Sequence, residues 1–134
     1  MKRAALLLTA AALVVWAAAA WAHSNPAVVA PTAYAFVNAN GTLWSAQTVG
    51  VTGVKHPGRG LYCFKLATPA NNAVASVNPA TVAGTAVVMP FLPGGPSGGV
   101  SLSGCPSGYQ DASAAVAHGS GVPVNAGFYI VFTS

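Results

Sequence analysis

The chain has 134 residues, a mean hydropathy of +0.58, and five basic side chains against a single acidic one. Only 4% of its residues are charged, where about a quarter is usual for a soluble domain. With Asp111 as the sole acid, the chain lacks the carboxylate pair of most glycosidases, the dyad of an aspartic protease and the carboxylate cage of a calcium or magnesium site.

Lys2 and Arg3 form a positive start, and an apolar run from Ala4 to Trp21, broken only by Thr9, follows. Ala20-Trp21-Ala22 then supplies a small-x-small motif ahead of polar His23-Ser24-Asn25-Pro26. This reads as a secretory signal peptide and signal helix over residues 1–22, cut after Ala20 or Ala22. The competing reading keeps it as an anchor, although an alanine-dominated run of about 18 residues lies at the short end of a membrane span. Cleavage after Ala22 leaves 112 of the 134 residues, with no stable membrane span, in the periplasm or outside the cell. That length suits one domain. The mature part keeps Lys55, Arg59 and Lys65 against Asp111, a net charge of +2. Three basic residues fall short of the phosphate contacts that nucleic-acid binding rests on, so that class of partner is excluded.

Residues 23–32 carry two prolines and no periodicity, and read as an extended lead-in to a β-domain over 33–134. From there turn signals recur at the spacing of an all-β fold. Ala33–Val37 alternates, Asn40-Gly41 is a hairpin turn, and Thr42–Val49 returns. Val51–His56 is rich in β-branched residues, Pro57-Gly58-Arg59-Gly60 turns, and Leu61–Leu66 follows, with Tyr62, Phe64 and Leu66 on the core face. Further strands are expected at Ala73–Val77, Ala83–Pro90, Val100–Cys105 and Gly127–Thr133. Ala112–Ala117 reads as strand or helical turn. The expected fold is all-β: a small antiparallel sandwich or partly closed barrel. Cys63 and Cys105, the only cysteines, are expected to form a disulfide in an oxidising compartment.

The segments Ala33-Tyr34-Ala35-Phe36-Val37-Asn38-Ala39-Asn40-Gly41-Thr42, Gly50-Val51-Thr52-Gly53-Val54 and Gly60-Leu61-Tyr62-Cys63-Phe64, with the closing Phe128-Tyr129-Ile130-Val131-Phe132, carry a resemblance. The chain resembles a widespread group of uncharacterised bacterial exported β-domains with the pattern A-x-V-N-A-D-G-T, G-V-x-x-V and G-x-Y-C-V. Members often carry Asp where Asn40 stands and a cysteine near the C-terminus, where this chain has Phe132-Thr133-Ser134. The resemblance implies a compact β-domain, with no established activity and no functional residue to carry over.

Asp111, His118 and a serine supply the inventory of a hydrolase triad, yet no G-x-S-x-G elbow is present; Gly99-Val100-Ser101-Leu102-Ser103 lacks the second glycine. A cysteine nucleophile paired with His118 fails if the sulfurs are bonded. If cleavage follows Ala22, the α-amine and imidazole of His23 chelate one copper ion, with His118 or His56 as a further nitrogen ligand, a donor set suited to Cu(II). Lys55, His56 and Arg59 gather at one expected hairpin tip, which suits an acidic glycan or anionic lipid or simply a solvated, blunted edge. Asn40-Gly41-Thr42 fits a glycosylation sequon as well as a turn. Trp44 and Tyr109 are candidate platform aromatics, with no spacing that pairs them. The leading expectation is an exported, non-enzymatic structural or interaction module without a cofactor; copper binding through His23 is the alternative.

Overall fold

A computed structural model describes residues 30–94 and 102–134. The leader and His23 lie outside them. Eight strands form in chain order: β1 (Ala33–Val37), β2 (Leu43–Val49), β3 (Val51–Gly58), β4 (Leu61–Leu66), β5 (Asn72–Val77), β6 (Ala86–Phe91), β7 (Ala112–His118) and β8 (Phe128–Thr133). They pair antiparallel in two four-stranded sheets. Sheet A has the order β2-β1-β8-β5 and sheet B the order β3-β4-β7-β6. No ladder joins the sheets among the described residues, so the fold is a sandwich rather than a barrel. No helix among them is long and apolar enough to cross a membrane.

The core is the seam between the sheets. Tyr62 and Phe64 from β4 meet Phe128, Ile130 and Phe132 from β8, all fully or almost fully buried. The rings pack edge to face: Tyr62 on Phe128 at 4.9 Å, Phe64 on Phe132 at 5.7 Å, an arrangement that opposes ring edges to ring faces. Small residues share the same interior. Ala33 and Ala35 on β1, and Ala112 and Ala114 on β7, are buried, leaving room for the four rings at interior packing density. The Tyr62 hydroxyl donates to the carbonyls of Ala39, at 2.9 Å, and Ala126, at 3.3 Å. A buried phenol finds its partners this way. Burial also pushes the Tyr62 phenol above its ordinary value of 10.0.

One residue carries the chain from sheet A to sheet B. Gly50 separates β2 from β3 with φ of +70°, and a Cβ there would lie 2.6 Å from the Thr32 carbonyl and 2.8 Å from the Ala33 Cβ. Both the left-handed backbone and the close approach require glycine.

Several local expectations change. β3 runs through Pro57 to Gly58 instead of turning at Pro57. It is an edge strand with a register irregularity between Lys55 and Gly58, a place where a missing N–H is tolerated. Of the expected strand at Val100–Cys105, residues 100 and 101 lie outside the described residues and Leu102–Gly104 forms a single 3-10 turn instead, closed by a bond from the Cys105 amide to the Leu102 carbonyl. Pro106 follows and offers no amide hydrogen for a ladder. The alanine-rich segment at 112–118 is strand, because it pairs on both sides, with β4 and β6. Asn40-Gly41 sits in a five-residue connection, Asn38–Thr42. There Asn40 Oδ1 accepts from the Thr42 amide at 3.1 Å and hydroxyl at 2.8 Å.

Cys63 and Cys105 are disulfide-bonded, with Cα atoms 5.6 Å apart. Cys63 projects from the outer face of sheet B, opposite to Tyr62 and Phe64, so the bond fastens the segment after the 3-10 turn onto that face. Gln110 Nε2 donates to the Cys105 carbonyl. Tyr109 lies over Gly53 of β3, where a Cβ would come within 2.9 Å of its ring. Beneath this cover Cys63 and Ser113 are fully buried.

Candidate functional site, the outer face of sheet A

Among the described residues, none covers sheet A in the same way. Pairing across it aligns two rows of outward side chains. Val49, Tyr34, Val131 and Val74 are register partners across β2, β1, β8 and β5. Phe36, Tyr129 and Ser76 are partners one step along, and Trp44 of β2 meets Phe36 edge to face at 5.8 Å. Tyr129 leans on the other side of Phe36, centroids 4.7 Å apart. Phe36 is thereby buried while remaining outside the inter-sheet core. Its neighbours are open to solvent: Val74 is 60% exposed, Val49 52%, Trp44 48%, Tyr129 43% and Tyr34 39%. A row across four strands spans roughly 14 Å at the usual strand spacing.

Two shallow clefts score this face. One of about 340 Å³ lies against Tyr34, Gln47 and Tyr129; another of about 240 Å³ lies against Val74, Ser76 and Tyr129. Tyr129 and Val131 border both. The Gln47 Oε1 is shielded from solvent and accepts no hydrogen bond from the described residues. An unmet buried acceptor costs about 1–3 kcal/mol. None of the four strands of sheet A contains Lys, Arg, Asp or Glu. An uncharged face with three accessible rings and a shielded amide can bind a neutral partner.

The residues singled out in the sequence lie elsewhere. Asp111 precedes β7, where its Oδ2 accepts from the Leu66 amide at 2.8 Å, whereas His118 ends that strand. Seven extended residues separate the two by about 23 Å, which excludes a triad between them. His118 Nδ1 lies 3.4 Å from the Thr85 carbonyl. His56 is not at a charged tip. It stacks on Tyr62 at 4.5 Å, and its Nε2 lies 3.1 Å from Asn125 Oδ1. Asn125 Oδ1 also accepts from the Gly60 amide at 2.9 Å. Lys55 projects the other way, its Nζ 5.6 Å from the centre of the Tyr109 ring, and Arg59 is exposed in the β3–β4 turn. The expected basic cluster is therefore divided between two faces. Among the described residues no three His, Cys, Asp or Glu side chains gather at a metal-binding distance.

Trp44 and Tyr109, the candidate platform aromatics, sit on different sheets. The partners of Trp44 are Phe36 and, through it, Tyr129. The signal that could have found them is the A-Y-A-F-V alternation of β1, where small alanines take the inner face and the rings the outer. No family model matches the chain, and neither a curated protein nor a solved structure does.

Proposed function

We propose that this protein is an exported, non-enzymatic interaction module whose working surface is the outer face of sheet A. The observation that carries the reading is the contrast in cover: rings and valines stand open on an uncharged sheet, while the other sheet is roofed by its own chain. Large exposed apolar patches on small proteins mark interaction sites. Export is supported by the leader pattern of residues 1–22 and by the Cys63–Cys105 bond, which suits an oxidising compartment. Binding rather than turnover is supported by the separation of Asp111 from His118 and by the engagement of both sulfurs in one bond. The resemblance to bacterial exported β-domains agrees with this assignment.

The test is site-specific photo-crosslinking in cells that produce the full chain. A benzophenone side chain at Val74 should give adducts in the envelope or culture fluid, and one at Thr52, exposed on sheet B, should not. Absence of adducts from Val74 and Val49 alike, or retention of the protein in the cytoplasm, would refute the proposal.

A further inference from the structure

We infer that the partner of this face is a neutral polysaccharide, lying across the strands with its sugar rings on Tyr34 and Tyr129. The inference rests on the interaction-module reading and names the class of partner. A pyranose ring has an apolar C–H face bordered by hydroxyls. Its C–H bonds suit the electron-rich face of an aromatic ring, and its hydroxyls need donors and acceptors close by.

The face supplies both. Tyr34 and Tyr129 are diagonal neighbours on adjacent strands, because Phe36 is the direct partner of Tyr129 and Tyr34 lies two residues along. Such neighbours stand about 7–8 Å apart at their backbones, so two successive sugars can meet two rings. Trp44 backs Phe36, which in turn backs Tyr129, and this fixes one ring of the pair. Gln47 borders the same cleft. Rotation about its last torsion, a broad and soft one, turns its unmet oxygen toward a sugar hydroxyl. The two clefts lie on either side of their shared border at Tyr129 and Val131, so a chain of sugars crossing from β2 to β5 meets both.

Charge selects among partners. Lys55, Arg59, Lys65 and Asp111 all lie on sheet B or its connections, so sheet A offers nothing to neutralise an acidic glycan. It also lacks the basic residues that hold a helix or loop on an anionic lipid surface. A protein partner is usually steered and registered by charge around the contact. Here the surround is Ser76, Asn72 and Thr133, whose side chains can exchange hydrogen bonds and carry no charge. A neutral polyol requires no more than that.

The probes are hydroxyethylcellulose, galactomannan, dextran and soluble starch, each cast into native gels, with polygalacturonate as the acidic comparison. The processed, disulfide-bonded protein should be retarded by at least one neutral polysaccharide, and high salt should leave the retardation unchanged. Tyr129→Ala and Tyr34→Ala should each weaken it tenfold or more, and Tyr109→Ala, on sheet B, should not. Gln47→Leu keeps the face apolar and removes the amide, and is expected to lose at least fivefold. Thermal melts identify any variant that is unfolded, and Gln47→Leu decides the matter if the tyrosine variants are. No retardation in any neutral gel would overturn the inference, as would retardation by polygalacturonate alone or tighter binding by Gln47→Leu. A protein crosslinked through Val74 by a chain that no polysaccharide retards would remove the glycan and leave the interaction module standing.

Discussion

The outer faces of the two sheets are built from similar strands and end in opposite states. On sheet B, Cys63 is fully buried under a segment bonded to it through Cys105, while Val87 and Met89 of β6 and the polar Thr52, Lys55 and Lys65 stay exposed. On sheet A, the corresponding positions of β1 and β8 hold Tyr34 and Tyr129, partly bare to water. The lesson is that cover is supplied by connections, not by strands. The stretch of the β6–β7 connection from Cys105 to Gln110 lies on sheet B, bonded to Cys63 and with Tyr109 over Gly53, and no described connection is disulfide-bonded to sheet A. A side of a sandwich that none of its described connections covers keeps its rings open to solvent.

Removing the cover should produce the largest effect. Replacing Cys63 and Cys105 together by Ser releases a loop with a sequence separation of 42, which chain-entropy arithmetic values at about 4 kcal/mol. For a domain of this size that corresponds to a fall in Tm of roughly 15–30 °C, measurable by thermal or urea unfolding. A loss below about 1 kcal/mol would mean that packing by Tyr109 and Gln110 holds the cover without the bond.

A smaller effect is expected in the seam shared by both sheets. Tyr62→Phe leaves the carbonyls of Ala39 and Ala126 without their donor and should cost about 1–3 kcal/mol. The same substitution changes the alkaline limb of stability. The folded phenol is raised above 10.0, so the folded state holds its proton where the unfolded state has released it. Stability from this group is complete below the unfolded value. It falls as pH rises from there through the raised folded value. Urea titrations from neutral to strongly alkaline pH should show a shallower decline in Tyr62→Phe than in the parent.

The smallest effect belongs to the bare face. Val74→Thr and Val49→Thr alter exposed positions with water on one side, and each should change stability by no more than about 0.5 kcal/mol. A loss of 2 kcal/mol or more would show that sheet A has a hidden structural demand, and the contrast between the faces would fail.

Much of the fold was legible because alternation and turns are local. Tyr62, Phe64 and Leu66 were assigned to the core by period alone, and they lie in it. The even, small cysteine count pointed to the bond between Cys63 and Cys105. The candidate site was harder to read, for a physical reason. β8 reads Phe-Tyr-Ile-Val-Phe-Thr, apolar on both faces, so no alternation separates inside from outside. In β1, size alone would send Tyr34 and Phe36 inward, yet the interior already holds four rings and accepts Ala33 and Ala35 in their place. Which side is full depends on the opposite sheet, and that information is not local. His56 shows the same limit. Its neighbours in sequence are charged or turn-forming, but Tyr62 and Asn125 draw it away from them.

The pairing of β1 with β8, about a hundred residues apart, sets an order of events between them. Ala33 lies opposite Phe132 at the centre of sheet A, so that sheet has no middle until β8 is present. Contacts this distant in sequence slow folding. For a chain threaded through a membrane before it folds, as proposed, the arrangement postpones closure. The N-terminal half travels as an open chain, and the C-terminal strand locks the sandwich once the whole of it has arrived on the far side. Truncation by even one strand at the C-terminus would then remove the central partner of β1 and of β5 together, leaving sheet A as a hairpin and a stray edge.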